Sequence, residues 1–167
     1  MPHTVSYGGD DLHTMPYVET TCARPSEASA ANAARLAVGL DRPPGEEMDR
    51  FLRVHEGRPS HAEALASLAR HGRVNGRRRA LAHLFAKQAA RIPYPDDILF
   101  VERDWYAWRA LDELAIAGYW VGEYEESEQC CERLLEGGKL PEDQRDRVTR
   151  NLEFARSGLG GRKRVGA

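Results

Sequence analysis

The sequence predicts an all-α domain of about six helices in antiparallel hairpins, and three observations carry that prediction. From SEASAANAARLAVGL (residues 26–40) onward, alanine and leucine dominate the chain. Apolar residues there recur three and four positions apart, which places them on one face of a helix rather than on alternate sides of a strand. Glycine or proline interrupts the pattern every ~12–18 residues, a spacing that suits single helices joined by short turns. With 167 residues, the chain is long enough for one domain with its own core and too short for a second full one.

Residues 1–26 carry Gly, Pro, Thr and Asp without a sustained period and read as an extended or partly ordered arm, with VSY and MPYVETT as short strand candidates. In RPSHAEALASLARHG, Ser60 is placed to cap a helix and Glu63, three residues on, to reach back as a capping box. Leu65, Leu68, Ala69 and Gly72 follow at the helical period. Beyond Asn75-Gly76, RRRALAHLFAKQAARI sets Leu81, Leu84, Phe85, Gln88 and Ile92 on one stripe. Pro93 and Pro95 then stop the helix.

VERDWYAWRALDELAIAGYWVG is the most apolar element. One stripe carries Trp105, Trp108, Asp112, Ala115 and Tyr119; a second carries Tyr106, Arg109, Glu113, Ile116 and Trp120. A helix so apolar around its girth must be covered on more than one side, which makes it the expected spine. Gly122 ends it. YEESEQCCERLLEGG continues as a helix packing through Tyr124, Ser127, Cys131, Leu134 and Leu135. Pro141 suits the first turn of a last helix that turns Val148, Leu152 and Ala155 inward. The chain thus divides into an arm (1–26), a helical domain (27–157) and a flexible basic tail (158–167).

Bulk properties exclude several classes of function. With 24 basic and 26 acidic side chains the formal charge is −2, so no global field gathers nucleic acid or an anionic membrane. No apolar run approaches the roughly 20 residues of a membrane span, and MPHTVSYGGDDLH lacks the charge and apolar core of a signal peptide, so a cytoplasmic location is expected. Cys22, Cys130 and Cys131 form no CxxC pair or Cys/His cluster, which predicts reduced thiols and no structural metal. No motif implies a cofactor.

Each candidate site has a structural reading beside its functional one. Asp96 and Asp97, with Glu102 as a third carboxylate, are candidate ligands for a hard cation; paired acids before a helix also cap it and neutralise its positive end. Asp112 and Glu113 are the candidate catalytic acids, because each interrupts an apolar stripe where burial would raise its pKa. Arg109, one turn away, is the partner expected if they are structural instead. Trp105, Tyr106, Trp108, Arg109, Tyr119 and Trp120 are the candidate binding groove, since flat rings stack on sugars and anchor partner chains. At helical spacing the same rings also fill cores. The six histidines are scattered, and solvated helix faces are their expected place. Cys130 is a candidate reactive thiol or a small core residue. Arg77, Arg78 and Arg79 open a helix at its positive end, an expected solvated cluster.

The chain also repeats. With Gly76 and Gly122 as equivalent turns, Leu65 matches Leu111, Leu68 matches Leu114, Ala69 matches Ala115, Gly72 matches Gly118 and Phe85 matches Cys131. The interval exceeds the 34-residue tetratricopeptide period by roughly a dozen residues, the length of IPYPDDILFVERD. Gly122 and Tyr124, Phe85 with Pro93, and the small residues at helix crossings resemble degenerate tetratricopeptide repeats. RPSHAEALASLARHGRVNG, IPYPDDILFVERDWYAWRALDELAIAGYWVGEYEES and LP…RVTRNLEFA, in that order, resemble the helical region that follows the catalytic domain in many family 2 glycosyltransferases of bacteria and large viruses. The likeness runs from about residue 46 to about residue 156.

That resemblance implies a short tetratricopeptide-like α-α superhelix acting as a platform. It does not imply glycosyl transfer, because GGDDL and YPDDI do not supply the Asp-x-Asp metal motif of the family's α/β domain. The expected function is a non-catalytic interaction or positioning module for a protein, peptide or glycan-bearing partner, a glycosyltransferase being one by analogy. The alternative is a small stand-alone biosynthetic enzyme whose helices enclose a pocket reaching Asp112, Glu113 or a histidine. So short a stack has exposed end faces, and the arm, an end helix or a second copy in a homodimer is expected to cover them.

Overall fold

A computed structural model of the protein describes residues 44–74, 78–96 and 101–165. The predicted arm, the helix candidate at 26–40, the Asn75-Gly76 turn, Arg77 and Asp97 lie outside those residues. All the regular elements described are helical: α1 (Pro44–Gly57), α2 (Glu63–Val74), α3 (Arg79–Ala89), α4 (Ala110–Val121), α5 (Tyr124–Glu136) and α6 (Glu142–Val165). A five-residue π-helical turn, Trp105–Arg109, runs directly into α4. Each helix packs on the next, and α2 also packs on α4 and on the π turn. The short connections of the α2–α3, α4–α5 and α5–α6 pairs suit antiparallel neighbours.

The spine is where the sequence places it. Ala110 and the whole run from Asp112 to Gly118 are buried, and α2, α3 and α5 all contact α4. α4 ends in a left-handed residue, Gly122 at φ 84°. The Glu123 N–H donates to the Gly118 carbonyl at 2.9 Å and the Gly122 N–H to that of Tyr119 at 3.1 Å, the paired bonds of a Schellman cap. A Cβ at Gly122 would meet nothing within 4 Å. Gly122→Ala is therefore expected to cost only the left-handed backbone strain, about 1–2 kcal/mol, read as a lower urea midpoint at unchanged m-value.

Two hairpins, α2–α3 and α4–α5, are built alike. The Gly72 carbonyl accepts the Arg78 N–H at 2.8 Å, as that of Gly118 accepts Glu123. A Cβ on Gly72 would lie 3.8 Å from the Ala82 Cβ, and one on Gly118 would lie 3.8 Å from the Ser127 Cβ. Small residues thus bring each helix pair close, and the Ser127 hydroxyl adds a bond to the Ala115 carbonyl at 2.8 Å.

Several expectations change in detail. α2 begins at Glu63, so Glu63 cannot serve as the third residue of a capping box opened by Ser60; its carboxylate turns instead to the π turn. α3 ends at Ala89, and Ile92 lies in the turn that follows. Its buried face is Ala82, Ala86 and Ala89, whereas Leu81 and Leu84 are 38% and 59% exposed. Close approach to α2 is possible only through the alanine face, and the leucines are turned outward as a result. α6 buries Val148, Leu152 and Ala155 as expected but continues to Val165, through most of the tail predicted at 158–167. At Gly158 a Cβ would sit 2.7 Å from the Tyr124 ring, so the missing side chain lets Tyr124 pack on the helix and seat it there.

Candidate aromatic binding site

The π turn separates the rings that an uninterrupted helix would set on one stripe, because a wider turn opens the angle between residues three apart. Trp105 joins a core cluster with Ala62, Leu65 and Ala110. Trp108 joins another with Ala86, Leu134, Leu140, Val148 and Leu152. Between them opens a cavity of about 250 Å³, walled by Trp105, Tyr106 and Trp108 on one side. Ala89, Ala90 and Ile92 from the end of α3 form a second wall, and Leu134 and Leu140 beside the α5–α6 turn a third, with Arg133 and Lys139 also lining it.

Hydrogen bonds and ion pairs fix the aromatic wall. Trp105 Nε1 donates to Glu102 Oε2 at 3.1 Å. The Arg109 guanidinium lies 5.6 Å from the Trp105 ring centre and 5.4 Å from that of Trp108, and pairs with Asp104 at 3.5 Å and Glu102 at 3.9 Å. The Tyr106 hydroxyl donates to Glu63 Oε2 at 2.7 Å and accepts the Ala62 N–H at 3.0 Å. Glu63 Oε1 also takes the Glu102 N–H at 3.3 Å, so one buried carboxylate ties the start of α2 to the π turn. Burial, with the Glu63 carboxylate beside it, pushes the Tyr106 phenol well above its ordinary range. It stays a neutral donor at physiological pH.

The candidate acids are elsewhere. Asp112, 1% exposed, accepts from Arg147 Nη1 at 3.0 Å. Glu113, 3% exposed, accepts from Arg73 Nε and Nη2 at 3.1–3.4 Å and from Arg70 at 3.5 Å. Ion-paired acids were one of the two readings, but Arg109 is not their partner. The guanidinium groups come from α6 and α2, across helix contacts that spacing along one helix cannot reveal. Neither acid lines the cavity.

Tyr119 and Trp120 stand at the opposite end of α4. Tyr119 packs against Trp120 at 5.6 Å and Tyr124 at 5.4 Å, and Arg79 lies 4.2 Å over the Trp120 ring. Burial, and then Tyr124, raises the Tyr119 phenol pKa. The predicted groove therefore divides into Trp105, Tyr106 and Trp108 at the cavity, Arg109 bracing them, and a separate pair beyond Gly118. Of the candidate cation ligands, Glu102 is engaged with Trp105 and Arg109, and Asp96 is exposed. Among the described residues no three His, Cys, Asp or Glu are grouped to hold a metal.

Two histidines are not on solvated faces. His61 Nδ1 lies 3.6 Å from Glu63, and His71 Nδ1 lies 3.1 Å from Glu47; both rings are buried. His83 Nε2 and Lys87 meet Glu126 at 2.5 and 2.7 Å. Burial opposes ionisation of Glu126, yet the hydrogen bonds from Lys87 and His83 hold its carboxyl below the ordinary range.

Cys130 and Cys131 are buried and are not joined in a disulfide. Burial, with help from Glu126 and Cys131, pushes the Cys130 thiol from 9.0 up to about 12, which removes the reactive-thiol reading. The folded pKa is the raised one, so the stability linked to this proton is fully present below 9.0 and is lost as pH rises through about 12. Urea midpoints are expected to fall over that alkaline range, less steeply in Cys130→Ala. A thiol reagent at pH 8 should label Cys130 only at the rate of unfolding.

Arg133, Lys139 and Leu140 are among the cavity residues that sequence reasoning missed. Nothing in their local pattern marks them, because they meet the π turn only when α5 folds back on α4. Comparison with family models, with curated proteins and with solved structures finds no match for the chain.

Proposed function

We propose that the protein is a non-catalytic helical-repeat module that holds a partner protein or peptide, with the aromatic cavity as its point of contact. The observation that carries this reading is the fate of the two interior acids: Asp112 and Glu113 are each neutralised by arginine and lie off the cavity wall. An acid/base pair must reach its substrate to work. The wall itself is aromatic and aliphatic, with cationic groups beside it, the composition of an anchor pocket.

The likeness of the α2–α3 and α4–α5 hairpins supports a short tetratricopeptide-like stack. The sequence resemblance supports a family 2 glycosyltransferase as the class of partner, met in the cytoplasm. No described helix is long and apolar enough to cross a membrane.

Affinity purification of the tagged full chain from its native host tests the reading, with Leu111→Trp as the comparison, since Leu111 lines the cavity and a larger ring there would fill it. A partner protein is expected with the wild type and at least about tenfold less with the variant. Recovery of a small molecule without any protein, or equal recovery of the partner with both, would overturn it.

A further inference from the structure

The cavity also shows what chemistry it accepts. Its charged side chains are of one sign. Trp108 is 5% exposed, and its Nε1–H has no acceptor among the described residues. Sealed from solvent, that donor is not offered to the cavity. Arg133 and Lys139 are exposed, and neither has an ion-pair partner among the described residues. The Tyr106 hydroxyl is already taken up by Glu63 and Ala62. No acidic side chain lines the cavity. The other lining side chains are alanine, isoleucine and leucine with the Trp105 ring, and backbone groups between them add polar surface.

We propose that this cavity binds an apolar carboxylate, a flat or branched apolar body bearing one carboxylate group. The body packs between the rings and the aliphatic wall, and the carboxylate accepts from the Arg133 and Lys139 cations. Size sets the scale. A volume of about 250 Å³ lies just under the roughly 300–1,000 Å³ of drug-sized sites, which suits a body of one ring. Such a group has two sources, a free small acid or the C-terminal residue of a polypeptide. The proposal rests on the reading of the cavity as the contact point of a binding module.

The three tryptophans provide the test. In the ¹⁵N-labelled full chain each contributes one indole N–H signal, assigned by Trp→Phe substitution. On titration with 3-phenylpropionate, the Trp108 and Trp105 signals are expected to move saturably while that of Trp120 stays. The dissociation constant should be on the order of a millimolar, the scale that about eleven non-hydrogen atoms support. The neutral amide, 3-phenylpropionamide, should bind at least about fivefold more weakly. Arg133→Glu with Lys139→Glu, both surface changes, should weaken the acid at least about tenfold and the amide much less.

The absence of a saturable shift at Trp108, equal binding of acid and amide, or full binding of the acid by the double variant would each overturn the proposal. N-acetyl-Ala-Phe separates the sources: tighter binding than 3-phenylpropionate assigns the site to a chain terminus, and weaker binding assigns it to a free acid. If the acids fail while Leu111→Trp still loses its partner protein, the ligand chemistry falls and the module reading stands.

Discussion

Asp112→Ala is expected to lower the unfolding free energy by about 3–5 kcal/mol, the cost of leaving a buried guanidinium without its counter-charge. Arg147 is 5% exposed, and its Nη1 bonds Asp112 at 3.0 Å. Its Nε reaches Gln144 at 3.0 Å, while Nη2 already has no partner among the described residues. Removing Asp112 thus strips the charge of its strongest contact where water cannot replace it. Urea unfolding followed by circular dichroism should show the loss. Asp112→Leu combined with Arg147→Met should recover most of it, since an apolar pair of similar volume avoids the desolvation of both ions. Recovery would mark the pair as an element of packing specificity. A double variant no more stable than Asp112→Ala would instead show that the ion pair is net stabilising.

The second large effect is expected at Trp108. Trp108→Ala removes a ring from the cluster that joins α3, α4, α5 and α6 through Ala86, Leu114, Leu134 and Val148. It should cost about 3–5 kcal/mol, because the surrounding helices cannot collapse fully into the space. Trp120→Ala is the useful contrast. Trp120 is only half-buried under the Arg79 guanidinium, and its loss should cost about 1 kcal/mol. Equal effects at the two positions would contradict the placement of Trp108 in the core and Trp120 at the edge. Trp108→Phe should retain most of the stability, because a smaller ring still fills much of the space.

Much of the helical frame was legible because it depends on local physics. Gly122 was readable as the end of the spine because only glycine enters the left-handed cap cheaply. The inward stripe of α6 was readable because Val148, Leu152 and Ala155 share one helical face in a polar background. The face of α3 was misread for an equally physical reason. A hydrophobic stripe is usually scored by its largest residues, so Leu81 and Leu84 outweighed Ala82, Ala86 and Ala89. Yet at a crossing beside Gly72 distance decides, and the smaller side chains win.

The candidate site was half legible. Its rings were visible, but the π turn that divides them was not, since backbone hydrogen-bond register leaves no composition signal in WYAWR. Local pattern alone therefore determined the helices, their main stops and the apolar spine, all of which follow from neighbours three or four residues apart. Only the tertiary structure decided which arginine meets Asp112 or Glu113, which rings face the cavity, and that Arg133 and Lys139 stand beside it. Those choices are made between helices far apart in sequence, where packing distance and the need to neutralise buried charge select the partner.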